Sequence, residues 1–285
     1  MKILFTGRGT SGSWKVRGEQ LSYAIGADAI PKASAKQMEE YDLVVLVKRP
    51  APDQIENLNK IGIPWIWDVV DFYPQPVISK WDKDRSIKWV KKQVQKADPS
   101  AVIWATNKMM LDCGDPKRDF VLYHHHRPGI NENPIRETVK VVGYEGSEKY
   151  LSDWGNVIRK ACKSRGIKFV VNSGSHKDWD ICVAFRGNGF KGYAQRHWKS
   201  NVKLANAHGS GTPIICDFES GYQETAEGSE LFCTRKEDFG SCLDSLSDPL
   251  YRKRISDLFL KQKYTVNEAA KNLITFIKRS EFVES

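Results

Sequence analysis

Short apolar runs alternate with longer amphipathic stretches along nearly the whole chain. In the first half, these runs predict strands over 2–6, 42–47, 63–67, 101–105 and 119–123. Runs that stay apolar throughout, such as Leu43 to Val47, are typical of strands buried on both faces of a parallel sheet. The intervening segments include 14–25, 51–60 and 77–96, and each is long enough for a crossover helix.

The second half repeats the same alternation. It predicts strands over 138–142, 167–171, 180–185, 212–216 and 230–233, and helices near 147–164, 199–208, 222–227 and 235–245. The density of Pro, Gly and Asn in 127–135 predicts a linker, and 265–280 predicts a terminal amphipathic helix. We therefore expect an α/β fold with two sheets facing across a cleft, where the carboxyl ends of parallel strands hold ligands.

Composition narrows the class of protein. No apolar run approaches the roughly 18 residues that a membrane span needs, and Met1 leads directly into a short strand rather than a signal peptide. Six scattered cysteines without a C-x-x-C pair indicate a reduced cytosol and neither a disulfide framework nor a zinc ribbon. The net charge of +9 is spread over both halves, which favours a polyanionic partner, either nucleic acid or an anionic lipid surface.

The first strand is followed by a glycine-rich loop, Gly7-x-Gly9-x-x-Gly12. Such a loop lets backbone amides approach an anion at a helix N-terminus. A dinucleotide site would also need an acid about 20 residues further on. Asp28 is roughly there, but 26–30 predicts a poor strand, so dinucleotide binding is a minor alternative. A tight strand-to-helix turn is the simpler interpretation.

A basic stretch in the second half gives a stronger signal. No Asp or Glu occurs from Ile181 to Cys216, whereas this stretch contains Arg186, Lys191, Arg196, Lys199 and Lys203. Cations at the carboxyl end of a strand and at the start of the next helix would bind a phosphate or diphosphate. A solvated basic face is the alternative.

The segment that follows combines a helix of small residues, a Pro-led strand and a loop with two carboxylates. The helix ends at Gly211, and the loop carries Glu219 and Glu224. Carboxylates in this arrangement can accept hydrogen bonds from the hydroxyls of a sugar or ribose. The backbone N–H groups of 220–223 would then face an anion.

This stretch resembles the C-terminal nucleotide-sugar subdomain of glycosyltransferases of the B fold. The family pattern K-x-x-N-A-x-x-x-G-x-P is matched by Lys203, Asn206, Ala207, Gly211 and Pro213. The opening of that family's second domain is resembled by Gly143-Tyr144-Glu145-Gly146. The first glycine loop of its acceptor domain is resembled by a candidate phosphate or acceptor loop that contains Gly12, Ser13, Trp14 and Arg17. The resemblance implies two Rossmann-like domains, with an acceptor domain over 1–130, a nucleotide-sugar domain over 131–265 and a helix over 266–285 that packs back on the first.

The resemblance also implies the donor site. The diphosphate would be held by Arg186, Lys199 and Lys203, and the sugar by Glu219 and the backbone of Ser220, Gly221, Tyr222 and Gln223. Glu224 would meet sugar or ribose. The co-substrate is a nucleoside-diphosphate sugar, with a UDP-sugar favoured, and no bound metal or cofactor is expected. Retaining members often carry two glutamates eight residues apart, where this chain has Trp198 and Asn206, so the stereochemistry stays open.

Candidate acceptor-side groups follow two strands of the first half. Asp68 and, as second choice, Asp71 are candidates for the catalytic base, with helix N-capping as the simpler role. His124, His125 and His126 end the strand at 119–123, and we expect one of them to contact sugar or phosphate. Adjacent residues of an extended chain alternate faces, which argues against a zinc site.

The acceptor itself is indicated only by the basic segment 80–96, which carries Trp81 and Trp89. The segment could be an ordinary crossover helix, could lie on an anionic membrane, or could bind DNA through Lys88, Lys91 and Lys92. We favour a hydroxymethylated pyrimidine in DNA, since the compact chain resembles viral enzymes that glycosylate such bases, which would place the protein in a host cytoplasm. The alternatives are a glycosyltransferase of surface polysaccharide or lipid-linked glycan, and a non-catalytic binder of nucleotide sugars. The sequence does not predict an oligomeric state.

Overall fold

The computed structural model describes residues 1–71, 80–190 and 192–280. Its internal contacts divide the chain into two compact units. The first contains Met1–His124, Tyr193–Ser200 and the chain from Val266 on, and the second contains His125–Gly192 and Asn201–Thr265. The sequence-based boundaries had placed the segment Tyr193–Ser200 inside the second domain.

The first unit is built on a six-stranded parallel sheet with the order β2-β1-β3-β4-β5-β6. Its strands are β1 Ile3–Gly7, β2 Asp28–Ala29, β3 Leu43–Val47, β4 Trp65–Asp68, β5 Ala101–Trp104 and β6 Phe120–Val121. Gly7 lies opposite Val47, and Val47 lies opposite Asp68, so these three strands end at the same edge. All five predicted strands are present. Strand β2 lies in 26–30, which was expected to be a poor strand, and it is a two-residue edge strand without an apolar run.

The second unit contains a five-stranded parallel sheet with the order β11-β10-β9-β7-β8. Its strands are β7 Val141–Tyr144, β8 Lys168–Val171, β9 Ile181–Ala184, β10 Ile214–Cys216 and β11 Leu231–Phe232. Cys216 lies opposite Ala184, which brings the loops after β9 and β10 together. Two parallel sheets with interleaved helices confirm the predicted α/β fold.

The described α-helices connect these strands and close the chain. They are α1 Leu21–Ile25, α2 Ala35–Met38, α3 Gln54–Ile61, α4 Lys83–Ala97, α5 Asn107–Cys113, α6 Asp153–Lys163, α7 Tyr193–His197, α8 Val202–Ser210, α9 Ser220–Gln223, α10 Phe239–Ser245, α11 Pro249–Gln262 and α12 Val266–Arg279. A π-helix, Trp14–Gln20, precedes α1. None of the helices in the described ranges is long and apolar enough to cross a membrane.

Three predicted helices differ from those observed. The helix expected over 147–164 is a 3-10 turn at Glu148–Tyr150 followed by α6, because Ser152 has a φ of 46° that interrupts it. The helix expected over 222–227 is the single turn α9. The helix expected over 77–96 begins at Lys83, where the Asp82 carboxylate accepts a hydrogen bond from the Arg85 amide at 2.9 Å, while 77–79 lie outside the described residues.

Each sheet has its own hydrophobic core. In the first unit, buried Trp65, Trp67 and Trp104 pack with Trp198 from the segment after α7. Helix α12 packs on α1, and Phe276 stacks on Phe120 with ring centroids 4.9 Å apart.

In the second unit, Trp154 of α6 stacks on Phe185 with centroids 4.1 Å apart. Trp179 lies so close to Gly143 that a Cβ there would be 1.9 Å from the indole. Glycine is therefore required at this position of β7 for a steric reason, independent of any ligand.

Candidate functional site

The carboxyl edge of the second sheet carries a buried ion pair. Arg186 follows β9, Glu219 follows β10, and the Arg186 Nε lies 2.7 Å from the Glu219 Oε1. The two side chains are only 12% and 4% exposed. Because β9 and β10 are parallel neighbours, their following loops meet at the edge where α/β sheets bind ligands. The two residues that sequence analysis assigned to diphosphate and sugar are thus in direct contact.

Helix α9 starts immediately after Glu219. The amides of Tyr222 and Gln223 donate to the Glu219 carbonyl, each at 3.0 Å. Two of the four backbone amides that were expected to face an anion are therefore engaged inside the turn. The prediction overlooked that a single helical turn uses its later amides itself.

Two tyrosines surround these charges. Tyr144, at the end of β7, is fully buried, and its ring lies 5.0 Å from the Lys203 Nζ. The Arg186 guanidinium lies 5.9 Å from the Tyr150 ring. The pKa of Tyr144 is raised to about 12, mainly by burial; the Arg186 charge opposes this rise and the Glu219 charge contributes to it. Within the described residues, the Tyr144 hydroxyl has no hydrogen-bond partner.

A second polar network lies beside this group. Arg127 Nη2 donates to Glu145 Oε1 at 2.8 Å, and Asn206 Nδ2 donates to Glu145 Oε2 at 3.1 Å. The Arg127 amide donates to Asn206 Oδ1 at 2.9 Å. Asn206 thus holds Glu145 through its side-chain amide. Sequence analysis missed Arg127, which lies in the predicted linker and matches no motif.

Arg127 and the buried His176 line a cavity of about 140 Å³. Burial is the largest influence on His176 and lowers its pKa to about 4. The neighbouring Arg127 charge lowers it as well, and Glu145 opposes the shift. His176 is therefore neutral near pH 7, and the positive charge at this cavity comes from Arg127 and Lys177.

The carboxyl edge of the first sheet holds the first candidate base, Asp68. Its side chain and that of Arg17 are both 0% exposed, with Arg17 Nε 3.7 Å from Asp68 Oδ2. Asp68 Oδ1 accepts from the Val70 amide at 3.0 Å, and Arg17 donates to the Leu122 carbonyl. Burial raises the pKa of Asp68, while the Arg17 charge is the largest opposing influence. The sequence indicated a general base at the carboxyl end of a strand or a helix cap, and it gave no sign of the buried partner Arg17.

The second candidate base, Asp71, lies between two lysines of the first unit. Its Oδ2 is 2.5 Å from the Lys199 Nζ and 3.5 Å from the Lys48 Nζ, and its side chain is 14% exposed. Lys48 Nζ also donates to the Ser13 Oγ at 3.2 Å. Between Asp68 and Asp71 the backbone is strained, since Val70 has a φ of 61°, which is rare for a β-branched residue.

The remaining members of the glycine loop divide into two kinds. Trp14 is 3% exposed and packs on Gly7 and Gly18, so it is a core residue. A Cβ at Gly12 would meet open space. Ser13 accepts a hydrogen bond from Lys48, which also pairs with Asp71, so Ser13 is the loop member nearest to that carboxylate.

The three histidines have different surroundings. His124 belongs to the first unit, whereas His125 and His126 belong to the second. His125 Nδ1 is 2.8 Å from the His126 carbonyl, and His126 packs on Gly209, where a Cβ would be 2.4 Å from the imidazole. Across 1–71, 80–190 and 192–280, no three His, Cys, Asp or Glu side chains form a group that could hold a metal ion.

The basic helix α4 presents Lys88, Lys91 and Lys92 to solvent. Trp89 is 39% exposed, and its ring centroid is 5.5 Å from that of Trp81. The Arg85 guanidinium covers the Trp81 ring at 4.3 Å. The helix therefore combines a buried apolar side, as the crossover interpretation requires, with an outward surface of cations and a tryptophan.

Comparison with known proteins identifies the fold. No protein-family model and no curated protein sequence matches the chain. Among solved structures, the chain is similar to Anabaena HepE in complex with UDP and glucose, with a TM-score of 0.65, 10% identity, and coverage of 98% of this chain and 99% of that one. It is also similar to sucrose-phosphate synthase of Thermosynechococcus elongatus, with a TM-score of 0.65, 10% identity and 100% coverage of both chains.

A third similar structure is AviGT4, a glycosyltransferase involved in avilamycin A biosynthesis, with a TM-score of 0.57, 9% identity, and coverage of 98% of this chain and 97% of that one. The class defined by the fold is thus the two-domain α/β architecture of B-fold glycosyltransferases. The chain shares this architecture over its full length with proteins of very different sequence.

Proposed function

We propose that the chain is a glycosyltransferase that moves a sugar from a UDP-sugar to an acceptor hydroxyl. The observation that carries this proposal is the group of Arg186, Lys203 and Glu219 at the carboxyl edge of the second sheet. Solved structures of the same fold are described as complexes with UDP and with UDP-glucose, which supports a UDP-sugar as donor.

In this proposal, Arg186 and Lys203 contact the diphosphate. Negative charge accumulates on the departing diphosphate as the bond to the sugar breaks, and preorganised cations stabilise that charge. The contact at 2.7 Å suggests that Glu219 fixes the Arg186 guanidinium in addition to contacting the sugar. Glu224 and the α9 turn remain our candidates for the remaining sugar and ribose contacts. Lys199, which the sequence grouped with Arg186 and Lys203, belongs instead to the first unit and pairs with Asp71.

For the catalytic base, the burial of the two candidates reverses their order. A general base must reach the proton that it removes. Asp68 is 0% exposed and faces Arg17, whereas Asp71 is 14% exposed. We therefore propose Asp71 as the acceptor-side carboxylate and Asp68 as a group that supports its loop, through the bond to the Val70 amide.

The support for the acceptor consists of the outward surface of α4. Its exposed lysines and Trp89 fit a polyanion with stackable bases, as in our hypothesis of a hydroxymethylated pyrimidine in DNA. None of the three similar structures above is described as acting on DNA, so the comparisons lend this hypothesis no support. A polysaccharide or lipid-linked glycan acceptor is compatible with them.

Titration calorimetry with UDP tests the donor site. Loss of one charged contact should weaken binding by about 1.5–3 kcal/mol, or about 10- to 150-fold in Kd, for Arg186→Ala and for Lys203→Ala. Lys163→Ala, an exposed lysine of α6 in the same unit, is the matched control and should bind as the unaltered chain does. If both site variants bind UDP normally, the diphosphate assignment is wrong.

Radiolabelled transfer tests the reaction and the acceptor together. The chain is incubated with UDP-glucose and either hydroxymethylcytosine-containing duplex, the unmodified duplex, or a bacterial glycan. Label on the modified duplex alone would support the DNA hypothesis, and label on the glycan alone would reject it. UDP binding with neither transfer nor donor hydrolysis would favour the non-catalytic binder.

A further inference from the structure

Two lysines of the first unit converge on one carboxylate at the carboxyl edge of its sheet. Lys48 directly follows β3, and its Nζ lies 3.5 Å from the Asp71 Oδ2. Lys199, from the segment after α7, approaches the same oxygen at 2.5 Å. Because both ammonium groups approach one atom, the two like charges lie within about 6 Å of each other. Lysine is rarely buried, yet these two side chains are only 22% and 16% exposed.

The backbone holds Lys48 in a fixed and strained conformation. Its φ of 58° lies in the left-handed region, which is uncommon for a residue other than glycine. Its amide donates to the Asp68 carbonyl at 2.7 Å, and its carbonyl accepts a hydrogen bond from the Trp67 indole at 3.0 Å. Strained residues that their surroundings fix in this way are concentrated at functional sites.

The segment that carries Lys199 is anchored on α5. Asp112 of that helix is buried, and it accepts hydrogen bonds from the Tyr193 hydroxyl at 2.8 Å and from the Trp198 indole at 2.9 Å. Trp198, which precedes Lys199 in the chain, is itself fully buried in the first core. Both lysines therefore extend from fixed backbone positions, as a preorganised binding site requires.

We infer that Lys48 and Lys199 bind a phosphate group of the acceptor. This inference rests on the proposed glycosyl transfer and adds to it the class of acceptor. A phosphomonoester carries about −1.5 to −2 charges at pH 7 and three acceptor oxygens, so two ammonium groups and the nearby Ser13 hydroxyl can contact it together. Arg8 follows β1, and its Nε donates to the Pro50 carbonyl at 3.1 Å, which keeps a further cation at this edge.

An acceptor phosphate would replace Asp71 as the partner of the two lysines. In the structure both ammonium groups approach the Asp71 Oδ2, and the Oδ1 accepts a hydrogen bond from the Ser200 amide at 3.3 Å. Once the phosphate holds the lysines, the Oδ2 can take the proton of the acceptor hydroxyl, as the proposed base must. The same cluster would thus recognise the phosphate and make the carboxylate available to the hydroxyl.

Calorimetry on the full chain saturated with UDP tests this inference, because UDP occupies the proposed diphosphate site. The probes are inorganic phosphate, glucose 6-phosphate and a short DNA duplex, which offer phosphate as the free ion, a monoester and a diester, with glucose as the uncharged control. At least one phosphate probe should bind at least about tenfold more tightly than glucose, and Lys48→Met and Lys199→Met should each weaken it at least about tenfold. Lys60→Met, at an exposed lysine of the same unit, should bind as the unaltered chain does.

The probe that loses affinity in both variants identifies the source of the phosphate. If no phosphate probe binds more tightly than glucose, or if both variants bind like Lys60→Met, the inference is wrong while the donor site stands. If UDP itself does not bind the unaltered chain, the proposed function fails instead, and the same titrations without UDP still test the two lysines.

Lysine acetylation of the unaltered chain gives a second measurement that needs no variant to fold. At a phosphate concentration of about ten times its Kd, labelling of Lys48 and Lys199 should fall about tenfold, since only the unliganded chains react. The exposed Lys60 should react at an unchanged rate, and chloride at the same ionic strength controls for screening. Unchanged labelling of Lys48 and Lys199 at that concentration would overturn the assignment.

Discussion

The buried pair of Arg17 and Asp68 gives the sharpest test of how the first unit is held together. Replacing Asp68 by Asn preserves the shape of the side chain and its bond from the Val70 amide, but removes the negative charge. Arg17 then remains fully buried, and it cannot lose its proton as a lysine could. Within the described residues its Nε and Nη1 have no hydrogen-bond partner that could compensate.

The size of the effect follows from the geometry. At an effective dielectric constant of 20, two unit charges 3.7 Å apart attract each other by about 4.5 kcal/mol. Breaking a buried pair by removing one partner costs about 3–5 kcal/mol in measured cases. We therefore expect Asp68→Asn to lower the free energy of unfolding by about 3–5 kcal/mol. Arg17→Met should cost less, because the pKa of Asp68 is already raised by burial and its carboxyl can take up a proton.

Urea unfolding monitored by tryptophan fluorescence measures the loss in the free energy of unfolding, since seven of the nine tryptophans belong to the first unit. The double variant Arg17→Met/Asp68→Asn completes a double-mutant cycle, and its cost should be well below the sum of the two single costs. Glu56→Gln, which breaks an exposed ion pair with Lys60 in the same unit, is the control and should cost less than about 1 kcal/mol. If Asp68→Asn costs no more than this control, Asp68 carries no charge in the folded protein and the reasoning is refuted.

Three further predictions concern the second unit. Gly143→Ala should destabilise it by at least about 1–3 kcal/mol in thermal or urea unfolding, because a Cβ would lie 1.9 Å from the Trp179 indole, whereas Gly189→Ala, with open space at its Cβ, should change little. Burial lowers the pKa of His176 to about 4, so the unfolded chain binds more protons than the folded one between pH 6.5 and 4. The free energy of unfolding should therefore fall by about 3 kcal/mol as the pH drops through this window. A His176→Gln variant whose stability kept the same dependence on pH would contradict this prediction. Tyr144→Phe should leave stability unchanged or raise it by up to about 1 kcal/mol, since the described part of the chain offers its buried hydroxyl no partner; a loss above 1 kcal/mol would reveal a bond that the structure lacks.

The sequence predicted the sheets well because their strands carry the signal. Leu43–Val47 and Ile181–Ala184 are continuous apolar runs, and such runs are typical of strands covered on both faces. The sequence gave little sign of the strand Asp28–Ala29, because a two-residue edge strand is defined by its pairing with β1 rather than by its own side chains. The segment Tyr193–Ser200 was assigned to the wrong unit for a related reason: burial of Trp198 in the first core is a tertiary contact with no local pattern.

The candidate site was predicted as a set of residues rather than as a geometry. A stretch free of carboxylates indicated that Arg186 and Lys203 serve an anion, but it could not show that Arg186 already holds Glu219. Likewise, a carboxylate after a strand is typical of a base or a cap, and only burial distinguishes Asp68 from Asp71. The network of Arg127, Glu145 and Asn206 joins residues from three distant segments, and no spacing rule connects them.

The discontinuous course of the first unit bears on how the chain can be dissected. A fragment ending near residue 130 would lack Trp198 and the buried residues Leu273 and Ile277 of α12, and it would expose apolar surface that promotes aggregation. The second unit is interrupted only by Tyr193–Ser200. To produce this unit alone, we would express residues 125–265 with a short Gly/Ser linker in place of Tyr193–Ser200. Such an excised half would allow nucleotide titrations on fewer than half of the original residues.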